Sequence, residues 1–360
     1  MKVKTIYLFF NLLLFLNTFS HGIFAQSHRK EGSISESDKI VEYRVSFDDS
    51  GVGGLMFALD VLQELEPKLE EIESKYKVHF IFQHVGDSKN APYGNRTPTD
   101  IAELTKALVD YTAGLPHTKT LVIACNTAST VCDEKMDDYF KERYPGLNVI
   151  SMIEKSSREI IDLASNISPI NKELYIALFA TPATVKSGAY QAQIISTAKE
   201  QVQKVKLFTF SPANWVNNIE KGIDKSITEL EVQNDLEKFK INVYDDFQKI
   251  NVIGLFCTHY PFYRLEIEHF FQDNGNKNVK ILTQGHIFSD DIFSDILTNI
   301  ENDSLTYPRR HEELEKEKVI KIQILSDITG ENSGEMKNVV YKTHPQFCDR
   351  IIFEKVKISK

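Results

Sequence analysis

Two cysteines sit in settings that suit acid–base chemistry. Cys125 opens Cys125-Asn126-Thr127-Ala128, and Cys257 opens Cys257-Thr258-His259-Tyr260-Pro261, each at the end of an apolar run. A cysteine there is by default a small buried core residue. The residues that follow shift the balance, because Asn126, Thr127, Thr258 and His259 belong at a wet strand end, where they can bind a carboxylate or an amino group. The thiolate is the reactive form, so each sulfur needs a donor or a positive field; a following helix N-terminus and His259 would supply them. Two thiols facing across one cleft suit a specific task. One takes the proton from a carbon acid while the other delivers a proton to the opposite face, and the roles swap with the hand of the substrate. With no CxxC pair a zinc site is not expected, and no metal is assigned. A Cys125–Cys257 disulfide is the competing fate in an oxidising compartment. Cys132 reads as helix packing, and Cys348 lies outside the mechanism.

The elements that must position these residues repeat. Val41–Phe47, Val78–Val85 and Thr120–Ala124 each stop at small or polar residues before a helical pattern, the first of them Leu55–Leu65. Leu174–Ala180, Val205–Phe210 and Asn251–Phe256 do the same. Strand, loop and helix in that order mark βαβ units and parallel sheets. Pairing Asp49 with Thr181, Asp87 with Ser211 and Cys125 with Cys257 gives offsets of 132, 124 and 132 positions. The fold expected is therefore α/β, with two pseudo-symmetric domains, each a mainly parallel sheet flanked by helices, and an active site in the cleft between them. In such sheets ligands sit beyond the carboxyl ends of the strands, which brings Cys125 and Cys257 to opposite sides of one cleft. The first domain is expected over 41–148 and 258–300 and the second over 149–257. Residues 301–360 are expected as an extension packed on the first domain, with a charged helix over Arg309–Lys318 and strand-like Val319–Leu325 and Val339–Thr343.

The 360 residues are 42% hydrophobic and 26% charged, with four cysteines, so the chain is neither disordered nor a disulfide scaffold. Lys and Arg total 42 against 51 Asp and Glu, a formal charge of −9 that lacks the footprint of a general nucleic-acid binder. Lys2 and Lys4 precede an apolar stretch from Ile6 to Phe19. This reads as a signal peptide over 1–25, cleaved after Ala25, ahead of a flexible leader over 26–40. Export to the periplasm or beyond is the expectation, with an uncleaved membrane anchor as the alternative.

Five segments together resemble the glutamate racemases of the aspartate/glutamate racemase superfamily. They are Asp49-Ser50-Gly51-Val52-Gly53-Gly54, Pro92-Tyr93-Gly94-Asn95, Cys125-Asn126-Thr127-Ala128, Ala183-Thr184-Val185-Lys186-Ser187-Gly188-Ala189-Tyr190 and Cys257-Thr258-His259-Tyr260-Pro261, in the family's order over about residues 41–300. The resemblance implies a cofactor-independent racemase with Cys125 and Cys257 as its two bases, assisted by Asp49 and His259. It implies that Ser50, Pro92, Tyr93, Gly94, Asn126, Thr127, Thr184 and Thr258 surround the amino acid. Glu220, in Asn218-Ile219-Glu220-Lys221-Gly222, matches a further acidic residue, or is an exposed helix carboxylate. It also implies a homodimer and a supply of D-glutamate for cell-wall precursors. Leu282-Thr283-Gln284-Gly285 stands where the family commonly has an Asp-Ser segment. The competing readings are a racemase for aspartate or a broader set of amino acids, and an exported amino-acid-binding protein that kept the cleft without catalysis.

Overall fold

The computed structural model describes residues 40–168, 173–303, 306–307, 320–326 and 330–358, with the side chains of the last helix described from Met336 onward. The expected signal peptide, the leader up to residue 39 and the expected helix at Arg309–Lys318 lie outside the described residues. Both sheets belong to one compact unit that begins at Lys39.

Apolar runs too short for helices, rich in β-branched and aromatic residues, become strands, the central ones buried on both faces over most of their length. The first sheet holds β1 (Val41–Asp49), β2 (Val78–Gly86), β3 (Thr118–Ile123) and β4 (Asn148–Ser151), and the second holds β5 (Leu174–Ala180), β6 (Val205–Phe210), β7 (Val252–Phe256) and β8 (Lys280–Leu282). Two more strands, β9 (Lys321–Ser326) and β10 (Ile351–Lys355), extend the first sheet. The orders are β10-β9-β2-β1-β3-β4 and β6-β5-β7-β8, and every pairing is parallel. The four-strand cores β2-β1-β3-β4 and β6-β5-β7-β8 are the same arrangement twice, as the repeat of strand ends predicts.

Three boundaries differ from the sequence reading. The second sheet does not end at 257, because Ile253 pairs with Ile281 and β8 closes it. The return to the first half begins only at the helix Gly285–Asn302, whose buried Ile292, Ile296 and Ile300 join the core beneath helix Val52–Lys75. That helix outruns the expected Leu65 and passes through Pro67, since Leu69 and Ile72 continue its buried stripe. Val339–Thr343 is not a strand but the last turns of helix Gly330–Thr343. Its buried Met336, Val339 and Val340 fall at helical spacing, which outweighs the β-branched preference. The tail joins the first sheet: β9 pairs with β2 from Ile81↔Lys321 to Gly86↔Ser326.

Candidate active site

The strand ends carry the site. Asp49 closes β1, and the chain turns at once into helix Val52–Lys75 through Gly51. Cys125 follows β3 as the N-cap of the short helix Asn126–Ser129, where its sulfur accepts from the Ala128 N–H at 3.5 Å. Cys257 follows β7, with Thr258 and His259 behind it. Both cysteines are nearly enclosed, at 6% and 5% exposure, so their thiols are shielded from bulk water. All four cysteines are free thiols.

A continuous run of polar contacts joins the two thiols. The Cys125 S–H donates to Ser50 Oγ at 3.7 Å, and Ser50 Oγ donates to Asp49 Oδ1 at 3.4 Å. The other carboxylate oxygen, Asp49 Oδ2, accepts from Thr258 Oγ1 at 3.1 Å. Thr258 Oγ1 lies 3.4 Å from His259 Nδ1, which lies 3.8 Å from Cys257 Sγ. On its far side His259 Nε2 meets Glu220 Oε1 at 2.6 Å, and that oxygen also accepts from the Val52 N–H at 2.9 Å. Glu220 is therefore no idle helix carboxylate. It ties the second half to the first turn of helix Val52–Lys75, where an anion is favoured. Trp215, packed edge-on against Phe210, Tyr260 and Tyr263, fixes both the Glu220 helix and the chain after His259.

The electrostatics divide the two sides. Burial pushes the Cys125 thiol well above its ordinary range, and the charges of Asp49 and Cys257 push it further. Burial also raises Asp49 to about 6, against the opposing pull of His259, the Gly51 N–H and Thr258. For His259 burial opposes the charged form, yet the Cys257 sulfur and the Glu220 carboxylate outweigh it and hold the imidazole well above its usual range. An imidazolium thus faces Cys257, while a protonated thiol sits on the Cys125 side. Asp48, one residue away, points to the opposite face of the strand. There it accepts from Thr112 and Ser46, and burial pushes its carboxyl well above the usual carboxylate range.

The remaining candidates are brought to the same place in different roles. Thr127 Oγ1 meets Thr181 Oγ1 at 2.9 Å and Thr184 Oγ1 at 3.0 Å, a hydroxyl cluster spanning both halves. Gly94 backs onto Thr181, where a Cβ would come within 2.8 Å. Tyr93 is buried and donates to Asp87 Oδ2 at 2.6 Å, so the wall it forms is anchored in the first half. Pro92 and Glu220 line one cavity. Asn126 is held by a residue that spacing does not reveal: its Nδ2 donates to Gln284 Oε1 at 2.8 Å, and Gln284 Nε2 donates back to Asn126 Oδ1 at 3.0 Å and to Ser156 Oγ at 2.6 Å. Tyr190 donates to the same Asn126 oxygen. Tyr190 and Gln284 left only weak traces in the sequence, one inside the Ala183–Tyr190 segment and one as a departure from the family pattern.

Twin parallel sheets with two buried thiols linked through an Asp and a His are an arrangement suited to acid–base chemistry at a carbon acid. No family model matches the chain. It is 31% identical to a glutamate racemase of Ruegeria pomeroyi over 253 residues, covering 69% of this chain and 83% of that one. To a glutamate racemase of Clostridium novyi it is 32% identical over 228 residues, 63% of this chain and 75% of the relative. Among solved structures, a glutamate racemase isoform of Bacillus anthracis superposes with a TM-score of 0.61 at 18% identity over 89% of this chain and 97% of that one. The Francisella tularensis glutamate racemase, solved with D-glutamate, gives 0.60 at 21% over 89% and 98%. The chain belongs to the glutamate racemase family.

Proposed function

We propose that this chain interconverts L- and D-glutamate by a two-base mechanism in which its own side chains carry every proton transfer. Cys257, facing the His259 imidazolium, takes the α-proton from one enantiomer, while the Cys125 S–H protonates the opposite face of the carbanion. In the reverse direction Cys125, its own proton passed through Ser50 to Asp49, takes the α-proton, and Cys257, supplied with a proton by the His259 imidazolium, delivers one to the opposite face. The observation that carries this reading is the unbroken contact path Cys125–Ser50–Asp49–Thr258–His259–Cys257, which gives each thiol a proton partner. Backbone amides of the Ser50–Gly54 turn and the Thr127–Thr181–Thr184 hydroxyls are the groups assigned to the substrate carboxylates.

The lysine-led apolar N-terminus supports export, and the family resemblance supports a homodimer and a part in supplying D-glutamate to the cell wall. Mass spectrometry of the mature N-terminus and light scattering of the purified protein test these two points. For the reaction itself, the experiment is α-proton exchange in D2O followed by NMR under reducing conditions, with both enantiomers of glutamate and with aspartate and alanine alongside. Deuterium entry with conversion of L- to D-glutamate is the expected result. A folded protein with free thiols that exchanges no amino acid overturns the reading.

A further inference from the structure

The family pattern ends near residue 300, yet the chain continues, and the described part of that continuation reaches the site. A cavity of about 180 Å³ lies where the two halves meet. Val52, Ala91 and Pro92 line it from the first half, and Ile219 and Glu220 from the second. Ser88, Asn217 and Lys221 add polar groups to the lining, and the tail supplies Met336 and Val339 of helix Gly330–Thr343. Those two side chains are 3% and 8% exposed, so they are packed in place. Glu220 in its lining touches His259, whose Nδ1 lies 3.8 Å from the Cys257 sulfur. On the racemase reading the cavity is taken as a vestibule, joined to the thiols through Glu220 and His259 rather than lined by them.

The helix that supplies this wall is tied down on the first half. At its base β9 runs beside β2, and Ser326 Oγ donates to Ser88 Oγ at 3.3 Å. Beyond it, His344 Nε2 lies 2.9 Å from Asp60 Oδ1 on helix Val52–Lys75, and Arg350 pairs with Glu66 on the same helix. Fixed at these points, Met336 and Val339 hold the vestibule well below the roughly 300 Å³ at which pockets begin to take drug-sized ligands.

We propose that Met336 and Val339 are specificity-determining residues, which admit a free amino acid of glutamate's size and exclude glutamate extended through its side-chain carboxyl. This rests on the racemase reading for its substrate, but the wall has a test of its own. In the full-length protein, Met336→Ala/Val339→Ala is compared with wild type for α-proton exchange of L-glutamate and of γ-L-glutamylglycine. Opening an apolar wall by several methylenes is expected to raise kcat/KM for the dipeptide, relative to glutamate, by about tenfold or more. A ratio that does not move, or two activities that fall together, overturns the proposal. Val339→Ile, a smaller perturbation of packing, is expected to move the ratio the other way.

The second readout needs no turnover. Alkylation of Cys125 and Cys257 by iodoacetamide and by bulkier N-phenylmaleimide is followed by peptide mass mapping, with Cys132 and Cys348 as internal references. The double variant is expected to speed the bulky reagent at the two cleft thiols by about tenfold relative to the small one. If glutamate is not exchanged but this ratio shifts, the wall stands and the racemase reading falls. If glutamate is exchanged and the ratio stays fixed, the wall falls alone.

Discussion

At the scale of single residues the site balances buried charge against buried charge. Asp49 and His259 share Thr258 as a neighbour, so the carboxylate of one and the imidazolium of the other support each other in a place that would otherwise reject both. Asp49, raised to about 6, sets the acid limb of the pH–rate profile: as pH falls through about 6 it takes up a proton and can no longer accept one from the Cys125 side. The rate toward the L-to-D and D-to-L directions is expected to drop there, as an apparent value of the coupled pair, and Asp49→Asn is expected to remove that limb. Stability runs the other way. A carboxyl with a raised folded value contributes fully below its unfolded value near 3.9, and that contribution is lost as pH rises through about 6, so thermal melts of the wild type should lose more than those of Asp49→Asn across that window. Cys125→Ser and Cys257→Ser should each cut racemisation by about 10²–10⁴-fold in polarimetry. Each variant should still exchange the α-proton of one enantiomer, the hand being opposite in the two, and racemisation at the wild-type rate in either would refute the two-base assignment.

Elements set how closely these residues approach. The turn from β1 into helix Val52–Lys75 passes so near Glu220 that a Cβ on Gly51 would lie 1.8 Å from its Oε1. Gly51→Ala is expected to push that carboxylate off both the Val52 N–H and His259. Displacing the base's partner by about 1 Å should cost on the order of 10²-fold in kcat/KM, with the melting temperature little changed because the side chain can swing aside. A variant with wild-type kinetics would show that Glu220 does not hold His259. Behind the other thiol, the loop after β8 delivers Gln284 into a buried amide pair with Asn126. Removing it by Gln284→Ala strands the polar atoms of Asn126 and Ser156, and should lower stability by about 1–3 kcal/mol in urea titrations.

For the whole molecule the tail decides where the first sheet ends. With β9 and β10 in place, the outer row of β2 backbone groups is paired, and Arg44 reaches from β1 to Gln83 and on to Gln323 at 2.7 Å. A chain stopped at residue 303 would bare β2 as a long edge and lose the buried Ile322, Ile324 and Phe347. An edge of that kind templates aggregation. Such a truncation is expected to scatter light and to elute as large species on size exclusion; a monodisperse truncated chain with an unchanged melt would make the extension dispensable for folding.

The sequence by itself determined what is local. Apolar runs ending in small or polar residues marked seven of the strands to within a few positions, β9 among them, and placed Asp49, Cys125 and Cys257 at strand ends, because strand length and alternation are written in consecutive residues. The short β4 and β8 carry too few apolar residues to stand out. The Val339–Thr343 run misled because β-branched residues fit a helix once a tertiary surface lies on one face. Only the tertiary structure decided that Glu220 grips His259, that Gln284 braces Asn126 and that the tail lines the cavity beside Glu220. These contacts join residues far apart in the chain. Their existence depends on how two sheets dock and on the close approach at Gly51, and neither leaves a period in the sequence.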